Sequence, residues 1–112
     1  MREAAAKGAH IVLLQELFET LYFPQEQNPK WLGLAKERSQ HPLLARMATL
    51  ARELRVVLPV SFFEKCGQVR FNSVVVLDAD GTELGVYRKS HIPDGPGYTE
   101  KFYFSPGAAP IA

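Results

Sequence analysis

The alternation of apolar and polar positions divides the chain into two helices, four strands and their connections. Residues 2–7 are helix formers closed by Gly8, a natural C-terminal stop. Residues 11–14, Ile-Val-Leu-Leu, form an unbroken apolar run of strand length, which predicts a strand buried on both faces. Residues 22–40 carry Pro24, Asn28-Pro29 and Gly33, the punctuation of a loop, with a short helix expected around 34–38. From Pro42 the period changes. Leu43, Leu44, Met47, Leu50, Ala51 and Leu54 share one helix face, while Arg46, Arg52, Glu53 and Arg55 fall on the solvated side.

Residues 56–63 read as a second strand, and Pro59 within it predicts an edge or an irregularity. Gly67 turns the chain into a third strand, 70–77. Asp78-Ala79-Asp80-Gly81 is a hairpin turn leading to a fourth, 83–89, so the last two should pair antiparallel. The expectation is an α/β chain with a mixed sheet. A Pro- and Gly-rich loop, 90–98, then precedes the aromatic cluster Phe102-Tyr103-Phe104.

Composition narrows the function classes. A length of 112 residues fits one domain, and 46% hydrophobic against 22% charged residues is the balance of a folded protein. The net charge of +1 argues against the basic footprint of a nucleic-acid binder. No apolar run approaches the roughly 18–20 residues of a membrane span, and the N-terminus has no secretory apolar core. A lone cysteine, Cys66, cannot staple a secreted domain, so a reducing, cytoplasmic address is favoured. His10, His41 and His91 are scattered and offer no metal-ligand spacing; no metal, cofactor or membrane partner is expected.

One polar residue stands out. Glu16 ends the apolar run 11–14, where a carboxylate is costly to desolvate unless it has partners or a task. The carboxyl ends of strands in α/β sheets are also where ligands bind.

Residues 8–19, Gly-Ala-His-Ile-Val-Leu-Leu-Gln-Glu-Leu-Phe-Glu, with Tyr22-Phe23, resemble the first catalytic motif of the nitrilase (carbon–nitrogen hydrolase) superfamily. Residues 87–93, Tyr-Arg-Lys-Ser-His-Ile-Pro, resemble its lysine motif, preceded by the usual hairpin from Asn72 through Gly81. Residues 94–107 are similar to the N-carbamoylputrescine amidase branch. The resemblance implies a mixed-sheet fragment of a four-layer αββα sandwich, with residues 1–112 a partial domain that lacks the family's first strand and its later, nucleophile-bearing part. An apolar surface left uncovered on one side is expected. It also implies that Glu16 is the general base that deprotonates a cysteine thiol, that Lys89 holds the oxyanion, and that Glu100 orients lysine and substrate. A carboxylate of ordinary pKa, about 4.3, serves as a base only if burial raises it. Glu16 and Lys89 should therefore open on one pocket although 73 positions apart.

Tyr22, Asp94 and Tyr98 are candidates for the substrate side. An acidic Asp94 suits a cationic amine, although Asp-Gly is also a common turn pair. The implied substrate is a small N-carbamoyl amine, converted to putrescine, carbon dioxide and ammonia in polyamine biosynthesis, in an enzyme that forms homo-oligomers. A β-ureidopropionase-like activity and a non-catalytic remnant are the alternatives. No cysteine follows Lys89, and Cys66 lies at a turn without the family's elbow, so this chain is expected to be inactive alone. After Gly107 the sequence departs from the family pattern.

Overall fold

The computed structural model describes residues 1–107; the divergent tail lies outside the described residues. A short helix, α1 (Arg2–Ala6), is followed by three 3₁₀ turns, Phe23–Gln25, Pro29–Leu34 and Arg38–Gln40. Then come α2 (Pro42–Leu54), β1 (Leu58–Cys66), β2 (Val69–Leu77) and β3 (Glu83–Arg88), the two-residue strands β4 (Asp94–Gly95) and β5 (Tyr98–Thr99), and a last 3₁₀ turn, Glu100–Phe102. Pro42 starts α2 as its pattern requires, and Arg55 ends it in the left-handed region at φ 55°.

The strands form an antiparallel meander in the order β1-β2-β3, so Pro59 does sit on a strand at one side of the sheet. Register runs from Leu58 opposite Leu77 to Cys66 opposite Val69, and Ser73 opposes Arg88. Gly81 at the β2–β3 turn has φ +90°, and a Cβ there would stand 2.9 Å from the Ala48 carbonyl oxygen of α2. Only glycine lets this hairpin tip rest on the helix.

Strand alternation gives the sheet two unlike faces. On one, α2 contributes Leu44, Met47 and Ala51 to a core with Val56, Leu58, Val60, Phe62, Val75 and Leu77. At one end of the other face, Phe63 joins a second cluster with Leu17, Phe23, Ala35, Tyr103 and Phe104. There the Phe23 ring stacks on Phe63 at 5.0 Å and meets Tyr103 edge-on at 4.8 Å. This aromatic cluster fastens the early loop and the late loop to the same strand.

Two expectations need correction. Residues 11–14 do not form a strand buried on both faces. Ile11 makes a single parallel bridge to Val57, with Val12 N–H donating to the Val57 carbonyl at 3.0 Å. Val12 and Leu14 pack on the α2 core, but Ile11 and Leu13 are 64% and 75% exposed, because no other described element covers their side. The second concerns 34–38, which is not one helix. Leu34 ends one 3₁₀ turn and Arg38 begins the next, while between them Lys36 is drawn out to bridge Glu64 in parallel, its backbone exchanging hydrogen bonds with Phe63 and Lys65. The open edge of β1 captures both segments, so the parallel part of the mixed sheet consists of isolated bridges on that edge. Exposed Leu21 and Leu84 add to the uncovered apolar surface. Among the described residues no helix is long and apolar enough to cross a membrane.

Candidate active site

Glu16 opens a tight turn whose next residue, Leu17, is left-handed at φ 52°. For a non-glycine residue that conformation costs about 1–2 kcal/mol, and two interactions offset it. The Leu17 side chain is buried in the aromatic cluster, and its N–H donates to the Ser61 hydroxyl oxygen of β1 at 2.8 Å. With Leu17 turned inward, the Glu16 carboxylate is presented outward.

Lys89 immediately follows β3. Its N–H donates to the Asn72 carbonyl at 2.9 Å, and its own carbonyl accepts from Gly107 N–H at 2.9 Å. Alternation puts Lys89 on the face of Phe63 and Asn72, and Arg88 on the opposite face. Arg88 there donates from Nε and Nη2 to the two oxygens of Glu64, both at 2.8 Å, while Ser73 Oγ donates to Glu64 Oε1 at 2.7 Å. The two-pronged clamp on a buried carboxylate fixes the end of β3 and hence the start of the Lys89 segment.

The Lys89 ammonium stands 3.3 Å from each Glu16 oxygen and 3.2 Å from Glu100 Oε1. Glu100 is buried, and its other oxygen accepts the Tyr22 phenol at 2.6 Å. Burial pulls the Lys89 pKa down, but the hydrogen bond to Glu100 and the charge of Glu16 outweigh it, so the net movement is upward. Lys89 is therefore a firm cation at neutral pH. The Tyr22 phenol is pushed well above its ordinary value, first by burial and then by its bond to Glu100 and that carboxylate's charge. It remains a donor. One fixed positive charge between two carboxylates can meet a negative charge developing on a carbonyl oxygen.

Of the residues singled out from the sequence, Glu16, Lys89, Glu100 and Tyr22 come together. Asp94 and Tyr98 do not join them through any hydrogen bond among the described residues. The Asp94 carboxylate accepts Lys101 N–H at 3.3 Å from the 3₁₀ turn that follows its hairpin, and the half-exposed Tyr98 side chain lies against Gly95. Glu16 also departs from expectation, because its side chain is 47% exposed. Residues 11–14 are covered on one face only, so the strand end does not desolvate the carboxylate. Cys66 is exposed at the end of β1, in a depression it shares with Arg38 and Arg88 rather than with Glu16 or Lys89.

His41 is a packed histidine, its ring edge-on to Phe62 at 5.5 Å and its Nε2 3.9 Å from Glu19. Sequence reasoning passed over Ser61, Glu64, Asn72 and Ser73. The available signal was a polar residue inside an apolar strand, which must find a partner when buried.

Residues 1–112 match the carbon-nitrogen hydrolase family. Over 107 residues the chain is 61% identical to the N-carbamoylputrescine amidase of Arabidopsis thaliana, covering 96% of this chain and 36% of the relative. It is 50% identical to the citrullinase of Francisella tularensis, covering 96% of this chain and 37% of the relative. The chain thus spans little more than a third of the curated relatives it matches. A solved carbon-nitrogen hydrolase from Helicobacter pylori G27 superposes with a TM-score of 0.86 at 44% identity, covering 95% of this chain and 37% of that one. An amidase from Nesterenkonia sp., at 24% identity and a TM-score of 0.78, shares the fold over 97% of this chain and 39% of its own.

Proposed function

The chain belongs to the carbon-nitrogen hydrolase family, and on that premise we propose that it supplies the acid–base and oxyanion groups of an N-carbamoylputrescine amidase-like hydrolase. The observation that carries this reading is the convergence of Glu16 and Glu100 on the Lys89 ammonium, within 3.3 Å, from segments far apart in sequence. In the proposed reaction Glu16, half-exposed here and covered in this reading by the remainder of the enzyme and the substrate, takes the proton of a cysteine thiol, and the thiolate adds to the carbamoyl carbon while Lys89 meets the oxyanion. The amide nitrogen leaves as ammonia with the proton returned from Glu16. Water then releases the carbamate, which gives amine and carbon dioxide. Glu100, held by Tyr22, keeps the lysine aimed.

The nucleophile in this reading is a cysteine other than Cys66, and none follows Lys89 in this sequence. The Nesterenkonia amidase has an active-site cysteine. The reading places the whole enzyme in the cytoplasm, in polyamine biosynthesis, as a homo-oligomer acting on a small N-carbamoyl amine.

The test is a chimera in which this chain replaces the matching 107 residues of the Arabidopsis enzyme. It should release ammonia from N-carbamoylputrescine, and Glu16→Gln should lower kcat by about 10²–10⁴-fold. A folded chimera without turnover, or one indifferent to Glu16→Gln and Lys89→Met, refutes the assignment. Turnover of citrulline in preference to N-carbamoylputrescine would move it to the citrullinase side. The 112-residue chain alone, run as the control, should release none.

A further inference from the structure

Glu16 is the most exposed member of the cluster, yet its carboxylate faces Lys89 symmetrically, with both oxygens at 3.3 Å. An exposed glutamate samples several rotamers, so something must fix the backbone from which it projects. The flanking segment does not provide this, because residues 11–14 are hydrogen-bonded to the backbone only at the bridge to Val57, just before β1, and the packing of Val12 and Leu14 on the α2 core ends two residues short of Glu16. The constraint lies one residue later. Leu17 is left-handed, and the amide N–H it turns inward meets the hydroxyl of Ser61 across 44 positions of sequence.

We propose that Ser61 is a positioning residue for the general base, locking the Glu16–Leu17 turn through the Leu17 N–H so that the carboxylate is held against Lys89. Ser61 is buried in β1, opposite Val74, on the same face as Phe63 and Asn72. Its hydroxyl touches neither Glu16 nor Lys89 in any hydrogen bond among the described residues. It acts through Leu17, whose side chain is anchored in the aromatic cluster beneath. The arrangement has two pins, an apolar one through the Leu17 side chain and a polar one through its amide. The apolar pin alone leaves the peptide plane free to rotate, and that plane sets the direction of Glu16. A polar group on a buried strand position needs such a partner, and alanine there would leave the Leu17 N–H without one.

This inference rests on the reading of Glu16 and Lys89 given above, and the test separates the two. Resonances of the full 112-residue chain report the Lys89 titration and the exchange rate of the Leu17 amide. In the unaltered chain the Leu17 amide should exchange more slowly than that of exposed Gln15; equal rates overturn the proposal without any variant. Glu16→Gln should lower the Lys89 midpoint, because the Glu16 charge helps to hold that proton. Ser61→Ala should reproduce most of that drop, and Ser61→Thr, which keeps the hydroxyl, should restore it. Val60→Ala, a destabilising change on the other face, should leave Lys89 unmoved. If Glu16→Gln shifts Lys89 and Ser61→Ala does not, the positioning role falls alone. If Glu16→Gln leaves Lys89 unmoved, the pairing beneath the proposed function fails and the positioning role falls with it.

Discussion

Replacing Arg88 by methionine tests the clamp that fixes the end of β3. Glu64, with a side chain 4% exposed, would lose both guanidinium bonds at 2.8 Å and keep only the Ser73 hydroxyl. Breaking a buried pair by removing one partner costs about 3–5 kcal/mol; because the Arg88 side chain is 35% exposed and partly screened, we expect about 2–3 kcal/mol here. At roughly 4–8 °C per kcal/mol for a domain of this size, Tm should fall by about 10–20 °C. Methionine still covers the Phe71 ring, over which the guanidinium sits at 4.5 Å, so the loss is mainly electrostatic. The pH dependence supplies the sharper readout. Burial pushes the Glu64 pKa up, but the bonds from Arg88 and Ser73 outweigh it and leave the carboxyl below its ordinary value. Its contribution is therefore present above about pH 4.3 and is lost as pH falls through the depressed folded value. Without Arg88 the burial remains and the compensation is gone, so the gap between variant and wild type should narrow on acidification. Glu64→Gln added to Arg88→Met should recover part of the loss. Thermal unfolding followed by circular dichroism at neutral and acid pH decides it. A variant Tm within about 3 °C of wild type at neutral pH, or a gap that stays constant into acid, would refute the reasoning.

Burial lowers the His41 pKa, Glu19 partly opposes it, and Lys36 adds to it; the unfolded chain therefore binds the extra proton first, and stability should decline as pH drops below about 6.5. His41→Leu should flatten that decline in acid-titrated unfolding curves. Gly81→Ala forces a side chain into φ +90° against the Ala48 carbonyl and should cost about 1–2 kcal/mol, whereas Gly67→Ala, at φ +60° with open space around it, should cost less in urea titrations. The Tyr22 phenol, raised in the folded state, should ionise well above about pH 10 by phenolate absorbance, its stabilisation being lost only as pH climbs past that point; an early Tyr22 step, assigned with Tyr22→Phe, would break its link to Glu100.

The meander and α2 were legible because each is set by local pattern. Six apolar residues on one face specify α2, and Asp78 through Gly81 specifies the hairpin whose strands the structure pairs antiparallel, with a register shift between Val76 and Leu77. The convergence of Glu16 and Glu100 on Lys89 was legible for a different reason, since the three stand in motifs that resemble a known constellation. What failed was whatever depends on which surfaces meet. The run at 11–14 has the composition of a buried strand, but composition cannot report that only Val12 and Leu14 find neighbours. Lys36 lies in a loop whose helical propensity loses to the hydrogen-bonding edge of β1. Asp94 suits a cationic substrate but, ahead of Gly95, suits a turn better, and its carboxylate accepts Lys101 N–H from the 3₁₀ turn that follows the hairpin. Ser61 was illegible as a support for Glu16, since nothing local connects residues 44 positions apart.

Apart from the late Lys89–Glu100 contact, the ties that close the cluster run between an early and a late segment: Tyr22 to Glu100 across 78 positions, Thr99 to Pro24 across 75, and Lys89 to Glu16 across 73. During synthesis, a nascent chain released as far as β3 can already assemble the helix and the three-stranded meander from sequential neighbours. The last loop must then close over the first, a step whose rate is limited by long-range contact formation rather than by hairpin or helix growth. Folding of this chain should therefore pass through a species with native sheet and helix signals in which Glu16 and Tyr22 are still without their partners. The time at which Lys89 first meets both carboxylates would mark the end of folding, and an interruption of the chain between β3 and Glu100 would abolish the charge cluster while sparing the scaffold beneath it.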